Sequence, residues 1–132
     1  FDIYGNKNVQ FIADAHDIPL QDECFDAVII QAVLEHVLSP SRVVLEIYRV
    51  LKKDGIGILQ VPIDKGLEKT YEDNTLVSKK QRAEHFGQYD HVRVYGRDYK
   101  NRLEDSGFTV NLIDYTNEIK DDEISKYGLI KR

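Results

Sequence analysis

The chain has 132 residues, of which 42% are apolar, enough for one packed domain. Its 18 basic and 23 acidic side chains give a formal net charge of −5, and it shows no basic stripe, which argues against nucleic acid as the main partner. Its apolar runs are too short to span a membrane, and its first residues do not form a signal peptide. Cys24 is the single cysteine, so an internal disulfide is excluded, and we expect a cytoplasmic location.

The first predicted elements are two strands. Val9–Ala13 is a short apolar run that ends at a polar stretch. Phe25–Ile30 is almost continuously apolar, which is typical of a strand covered on both faces. We therefore expect a buried sheet in this part of the chain.

A helix and a third strand follow. Ser39 and Pro40 open the helix, and its apolar stripe consists of Val43, Val44, Ile47, Val50 and Leu51. We expect Lys52–Lys53 near its end and Gly55 as a left-handed stop. Ile56–Val61 predicts the next strand. The order strand, strand, helix, strand indicates an α/β fold with a mostly parallel, Rossmann-like sheet and flanking helices.

The second half is less regular. Asp64–Gln88 is polar and predicts an excursion from the sheet, with a helix near Leu76–His85. Arg97–Ser106 predicts a short helix, Phe108–Ile113 another strand, and Asp114–Arg132 a weak helix.

Polar side chains follow the predicted strands. Asp2, Asp14 and Gln31 each stand at a strand end, and Glu35 and His36 lie just beyond Gln31. In an open parallel sheet, ligands bind at this carboxyl edge. One carboxylate can accept from both ribose hydroxyls of a nucleoside, and a second can accept from the adenine amino group. Each aspartate alone is better explained as a turn residue or helix cap. Together they predict that Asp2 and Asp14 project from adjoining parallel strands towards one adenosine.

Several motifs in this order resemble the class I S-adenosylmethionine-dependent methyltransferases, in particular the branch that acts on small molecules and biosynthetic intermediates. The motifs of the first half are Asp14–Leu20, Phe25–Ile29, Ala32–Val37, and Glu46–Lys52 with Gly55. Those of the second half are His85–Gln88, Asp90–Gly96 and Leu103–Phe108. Together with Asp2, they extend over most of the chain as far as Val110.

The resemblance implies S-adenosylmethionine as the cofactor and methyl transfer to a small-molecule or biosynthetic acceptor. The cofactor residues that it implies are Asp2, Ile3, Asp14, Ala15, Gln31 and Ala32. Asp2 would hold the ribose, and Asp14 and the Ala15 N–H would read the adenine. Gln31 and Ala32 would face the methionine part.

The same resemblance implies that Glu35 and His36 lie on the wall shared with the substrate. We expect His91, Arg93 and Tyr95 to cap the substrate, so the candidate substrate-binding residues are His36, His91, Arg93 and Tyr95. His91, Arg93 and Tyr95 fall in residues 64–96, which we interpret as an inserted lid or substrate segment. His36 and His91 are the candidate catalytic bases, because imidazole titrates near neutral pH. The alternative is that the lid histidines only bridge backbone groups.

A metal site is not predicted. His85, Asp90 and His91 contain ligand-type side chains, but their spacing lacks a tight pattern such as H-x-x-x-H. We therefore assign no metal ligands from the sequence.

The chain departs from the family at its ends. The glycine-rich loop and first strand are missing, and so is the last strand; Asp54–Gly57 is no substitute, because it precedes a strand and does not open a helix. We interpret residues 1–132 as a single partial domain, which alone should bind the cofactor weakly. We expect a small-molecule substrate, neither nucleic acid nor membrane as a partner, and a homodimer as a candidate assembly.

Two alternatives stay open. The chain could be a non-catalytic adenosine-binding or assembly fragment of a Rossmann-like protein. A dehydrogenase would also place an acid after its second strand, but it needs a pair such as Tyr-x-x-x-Lys, which Tyr95, Tyr99 and Lys100 do not supply.

Overall fold

The computed structural model describes residues 12–112, 119 and 121–126. Its strands are β1 (Phe25–Gln31), β2 (Leu51–Gln60), β3 (Tyr71–Glu72) and β4 (Arg93–Val94). Its helices are α1 (Pro40–Val50), α2 (Lys79–Phe86), α3 (Tyr99–Glu104) and α4 (Asp121–Lys126). The predicted α/β class is confirmed.

Strands β1 and β2 pair in parallel and are connected through α1. Their register runs from Ala27 opposite Ile56 to Gln31 opposite Gln60. A parallel pair requires a crossover, and α1 supplies it with short links. The carboxyl ends of both strands therefore lie at the same edge of the sheet.

Helix α1 contributes more buried apolar side chains than any other described element. Proline occupies its first turn after Ser39, where the missing N–H costs nothing. Its buried side chains are Val43, Val44, Ile47 and Val50. The first three of these pack with Leu34 and with the α3 residues Tyr99 and Leu103. Each buried aliphatic side chain contributes about 1.5–3 kcal/mol.

The predicted end of α1 is wrong. The helix ends at Val50, and the extended Leu51 starts β2 directly by pairing with Phe25. The register shifts before Ala27, so the residues after Leu51 bulge, and a Cβ on Gly55 would meet the Lys52 carbonyl oxygen at 2.9 Å. Gly55 is therefore needed for a close backbone approach inside β2, and it is no helix stop.

The two faces of the β1–β2 sheet differ, against the prediction of burial on both. The inner face, with Val28, packs against the core cluster. On the outer face Ile29, Ile56 and Ile58 are 69%, 66% and 54% exposed. Within the described residues, no element packs over this face.

The predicted strand after α3 is also wrong as far as it is described. Phe108 and Val110 pack against the core, but residues 108–112 form no strand. The physical reason is that no strand in the described ranges pairs with this segment, and an extended chain requires a partner for its backbone groups. Ile113 lies outside those ranges, as do residues 9–11 of the first predicted strand, whereas residues 12 and 13 form no strand.

The segment 64–96 contains elements that the sequence only partly predicted. Helix α2 starts three residues later than expected, because Ser78 and Gln81 form a capping box that fixes its first turn. Strands β3 and β4 pair antiparallel, which was not predicted. Helices α3 and α4 fall inside their predicted ranges, and Gly107 with φ of 101° follows α3.

None of the helices in the described residues has the length and apolar character needed to cross a membrane.

Candidate functional site

The carboxyl end of β1 turns sharply. Ala32 has a φ of 51°, a left-handed conformation that is uncommon for a residue with a side chain. Its N–H donates to the Gln60 carbonyl oxygen at 3.1 Å, so the turn remains tied to β2. Unusual backbone conformations of this kind cluster at functional sites.

A small recess lies beside this turn. Its volume is about 190 Å³, and it is lined by Ala15, Ile29, Ile30, Gln31 and Val33. The fold therefore brings Ala15 and Gln31, two of the predicted cofactor residues, to one place at the carboxyl end of β1.

Asp14 comes just before the recess residue Ala15 in the chain, and its side chain is accessible to solvent. Its Oδ1 accepts from the backbone N–H of His16 at 2.8 Å and lies 2.7 Å from His16 Nδ1. The backbone hydrogen bond, followed by the side-chain contact, lowers the pKa of Asp14, so this carboxylate is charged at neutral pH. Its side chain is 68% exposed and is free to meet a ligand.

Asp2 and Ile3 lie outside the described residues, and their placement on an adjoining strand stays a prediction.

The loop that holds Ala15 is anchored to α1. Arg49 donates to the carbonyl oxygens of Ile18 and Leu20, both at 2.8 Å. Glu46 accepts from the Ile18 N–H at 2.8 Å, and hydrogen bonds from Arg49 lower the pKa of Glu46 to about 2. The sequence showed Glu46 and Arg49 only as part of a motif; their positioning role comes from the structure.

On the opposite side, Arg93 clamps the turn over residues 34–38. It is 2% exposed and donates to the carbonyl oxygens of Leu34 at 2.6 Å, Val37 at 2.5 Å and Leu38 at 3.3 Å. Its Nε donates to Glu72 at 3.0 Å. Burial would raise the pKa of Glu72, but the hydrogen bonds from Arg93 and Arg102 lower it on balance.

Tyr95 assists the clamp. Its hydroxyl donates to Leu34 O at 3.3 Å, and burial raises its pKa to about 12. Arg93 and Tyr95, both predicted to face the substrate, thus contact the protein's own turn. A direct contact with substrate stays a prediction, and the structure assigns both residues a positioning role.

The turn presents His36 next to His91. Their ring centroids are 4.7 Å apart, edge to face, and His36 Nδ1 lies 3.3 Å from the Asp90 carbonyl oxygen. A hydrogen bond of 2.9 Å from the Val92 N–H to the Glu35 carbonyl joins the two segments. The two predicted catalytic candidates therefore meet, although 55 positions separate them in the chain.

A larger recess of about 480 Å³ lies between α1 and α3. It shares Leu34 and Tyr95 with the clamp but none of the described residues predicted to hold the cofactor. No feature of the sequence pointed to it.

Comparison with known proteins shows which family the chain is similar to. Residues 4–59 match the model of a methyltransferase-domain family. This match confirms the resemblance to class I methyltransferases that the sequence motifs indicated.

Three relatives define the likeness further. A demethylmenaquinone methyltransferase of Clavibacter sepedonicus is 44% identical over 52 residues, which are 39% of this chain and 21% of that protein. A proposed methyltransferase of Bacillus halodurans is 28% identical, with a TM-score of 0.56 over 76% of this chain and 41% of its own. The [4+2]-cyclase SpnF has a TM-score of 0.58 at 22% identity, over 76% of this chain and 33% of its own, and shows the fold alone. The chain thus spans less than half the length of each of these relatives.

Proposed function

We propose that this chain is the adenine-facing and acceptor-facing part of an S-adenosylmethionine-dependent methyltransferase that acts on a small-molecule or biosynthetic acceptor. The observation that carries the proposal is the recess at the carboxyl end of β1, where Ala15 and Gln31 meet. Ligands of open α/β sheets bind at this edge.

The residues present fit one part of such a cofactor. Asp14 offers a charged, exposed carboxylate, which suits an adenine amino group, and Ala15 lines the recess beside it. The recess is smaller than the roughly 300–1,000 Å³ of most ligand pockets. The described residues therefore supply one end of the site, and Asp2 with Ile3 would supply the ribose contacts.

S-adenosylmethionine, when bound, supplies a methyl group on a sulfonium that is already an activated leaving group. The protein's task is then to align the acceptor with that methyl group and to exclude water. The rigid turn over residues 34–38 suits this task, because Arg93 fixes three of its carbonyl groups from inside.

A proton must leave the acceptor if its nucleophile is a hydroxyl or an amine. His36 and His91 are the candidate bases. The contact between His36 Nδ1 and the Asp90 carbonyl oxygen favours the proton on Nδ1, which leaves Nε2 with a lone pair that can accept the acceptor's proton. The tautomer is assigned from this hydrogen bond.

The test is methyl transfer from tritiated S-adenosylmethionine to a cell extract by the full-length protein. We expect labelled small molecules, and at least tenfold less label with His36→Gln, as is typical for loss of general base catalysis. His85→Gln is the matched control, because His85 lies on α2 and contacts Tyr71 of β3 and not this turn. Cofactor binding without any labelled product would contradict the proposal.

That outcome would favour the second candidate, a non-catalytic adenosine-binding or assembly module. One observation supports it: the outer face of the sheet exposes three isoleucines, Ile29, Ile56 and Ile58. Apolar surface of this kind marks an interface when it is contiguous. A homodimer is the simplest assembly to test, by light scattering of the wild-type protein and of an Ile58→Lys variant.

A further inference from the structure

We propose that Glu35, His36 and His91 form a binding site for a divalent first-row transition-metal ion at the turn after β1. Each offers one ligand atom, and the three atoms all lie within 4.8 Å of one another. Two imidazoles with one carboxylate are a donor set that suits Zn²⁺, Fe²⁺ or Mn²⁺ better than Ca²⁺ or Mg²⁺, which prefer oxygen ligands.

The strongest support is an unpartnered carboxylate. Glu35 is 2% exposed, and its Oε2 has no hydrogen-bond partner among the described residues. A buried carboxylate oxygen without a partner is costly, and most such groups in proteins are satisfied. A cation bound between Glu35 and the two histidines would remove this cost.

Asp90 supplies the outer support that a metal-bound histidine usually has. His36 Nδ1 lies 3.3 Å from the Asp90 carbonyl oxygen and 3.5 Å from Asp90 Oδ2. A proton on Nδ1 leaves Nε2 available as the ligand, with the ring held by a carbonyl or carboxylate behind it. Asp90 Oδ1 is also buried and has no partner in the described part of the chain, whereas the Asp90 side chain as a whole is 41% exposed, so a second carboxylate lies beside the cluster.

The cluster can close around an ion by small movements. Ligands about 2.1 Å from a metal lie roughly 3–3.5 Å apart, so the widest separation must shrink by over an ångström. His36 and His91 are only partly buried, and rotation of their rings provides this change. Glu35 is held by its backbone, because its carbonyl accepts from the Val92 N–H.

The site differs from the combination weighed in the sequence. There, His85 stood with Asp90 and His91, but His85 Nδ1 lies 3.0 Å from the Tyr71 hydroxyl. Glu35 and His36 take its place because the Arg93 clamp brings the turn against His91, a proximity that chain spacing does not show.

Three protein ligands leave coordination positions open for water or for a ligand oxygen. On the proposed function, that position would hold an oxygen of the methyl acceptor and lower the pKa of its hydroxyl. His36 Nε2 would then be a metal ligand and would not also serve as the base. This role rests on the proposed function, whereas metal binding itself does not.

The experiment titrates Co²⁺ into the metal-free full-length protein, without cofactor or acceptor, and follows the visible absorption of bound cobalt. We expect saturable 1:1 binding, weakened at least tenfold by Glu35→Gln and by His91→Gln. His85→Gln and His16→Gln should bind as the wild type does. Competition with Zn²⁺, Mn²⁺ and Mg²⁺ ranks the ions, and we expect Mg²⁺ to compete least.

Two results would overturn the site: no cobalt binding by the wild type, or equal binding by both variants of the cluster. Circular dichroism of each variant checks its fold, and if Glu35→Gln is unfolded, His91→Gln decides alone. Cobalt binding without methyl transfer would leave the site standing and remove the proposed function. Methyl transfer without cobalt binding would support the proposed function and would rule out the metal site.

Discussion

The turn over residues 34–38 and the segment 14–18 both flank the carboxyl end of β1, but they are held in different ways. The turn is fixed from inside by Arg93, a fully engaged buried cation. The segment lies at the surface and is tied to α1 from outside, by Glu46, Arg49 and a 3.0 Å bond from Arg42 to the His16 carbonyl. We infer that the turn is a rigid wall and the segment an accessible ligand contact.

The largest expected effect is on the turn. Arg93→Ala removes three carbonyl contacts and leaves the partly buried Glu72 without one of its two cations. We expect the free energy of unfolding to fall by about 3–5 kcal/mol, as for a broken buried ion pair. Urea denaturation of the two proteins measures it.

The matched control is Arg97→Ala. Arg97 pairs with Glu68 at the surface, and exposed pairs contribute at most about 1 kcal/mol. Equal losses of unfolding free energy for Arg93→Ala and Arg97→Ala would show that the buried Arg93 contacts stabilise the fold no more than the surface ion pair does.

A smaller effect is expected on the segment. Glu46→Gln replaces the carboxylate that accepts from Ile18 and Arg49 by a neutral amide. We expect the free energy of unfolding to fall by about 1–2 kcal/mol. The same urea series measures this loss. A loss as large as that of Arg93→Ala would contradict the distinction between the two regions.

The contribution of Glu46 should depend on pH in a defined window. Its pKa is about 2 in the folded protein against 4.5 ordinarily, so its stabilising effect is fully present above about pH 4.5. It is lost as the pH falls from there through about 2. The difference in unfolding free energy between wild type and Glu46→Gln should therefore narrow between pH 5 and pH 3, and a constant difference would be the contrary result.

The smallest effect on stability is expected at Asp14. Asp14→Asn keeps an acceptor for His16 at an exposed position, so the unfolding free energy should change by less than about 0.5 kcal/mol. Thermal unfolding checks this. A large drop would mean that Asp14 is a structural cap and not a ligand contact.

The sequence predicted what depends on local pattern. The apolar stripe of α1 as far as Val50, the run that becomes β1 and the Tyr99–Leu103 pair of α3 appear where the sequence pattern placed them. The sequence did not predict elements that depend on pairing between distant segments. Strands β3 and β4 are two residues long, and each is a strand because it pairs with the other. The burial of Arg93 was missed for the same reason, because the backbone carbonyl groups that accept its hydrogen bonds lie 55 to 59 positions away in the chain.

The candidate site also contains residues that the sequence pointed to and a feature that it did not. The strand-end rule pointed to Asp14 and Gln31 and the family resemblance pointed to Ala15, and the structure places Ala15 and Gln31 beside one recess. Their contact with a cofactor stays a prediction. The orphan oxygen of Glu35 has no signature in a sequence, since an unmet hydrogen bond is a property of the folded surroundings.

Calorimetric titration of S-adenosylmethionine into the full-length protein and into its Asp14→Asn and Asp17→Asn variants tests the central claim most directly. Loss of a charge-assisted hydrogen bond worth about 1.5–3 kcal/mol should weaken the affinity of Asp14→Asn by roughly 10- to 100-fold. Asp17→Asn, three positions along the same exposed segment, should bind as the wild type does. Equal affinities for all three proteins would mean that the carboxyl end of β1 beside Ala15 does not hold the adenine, and the account would fail.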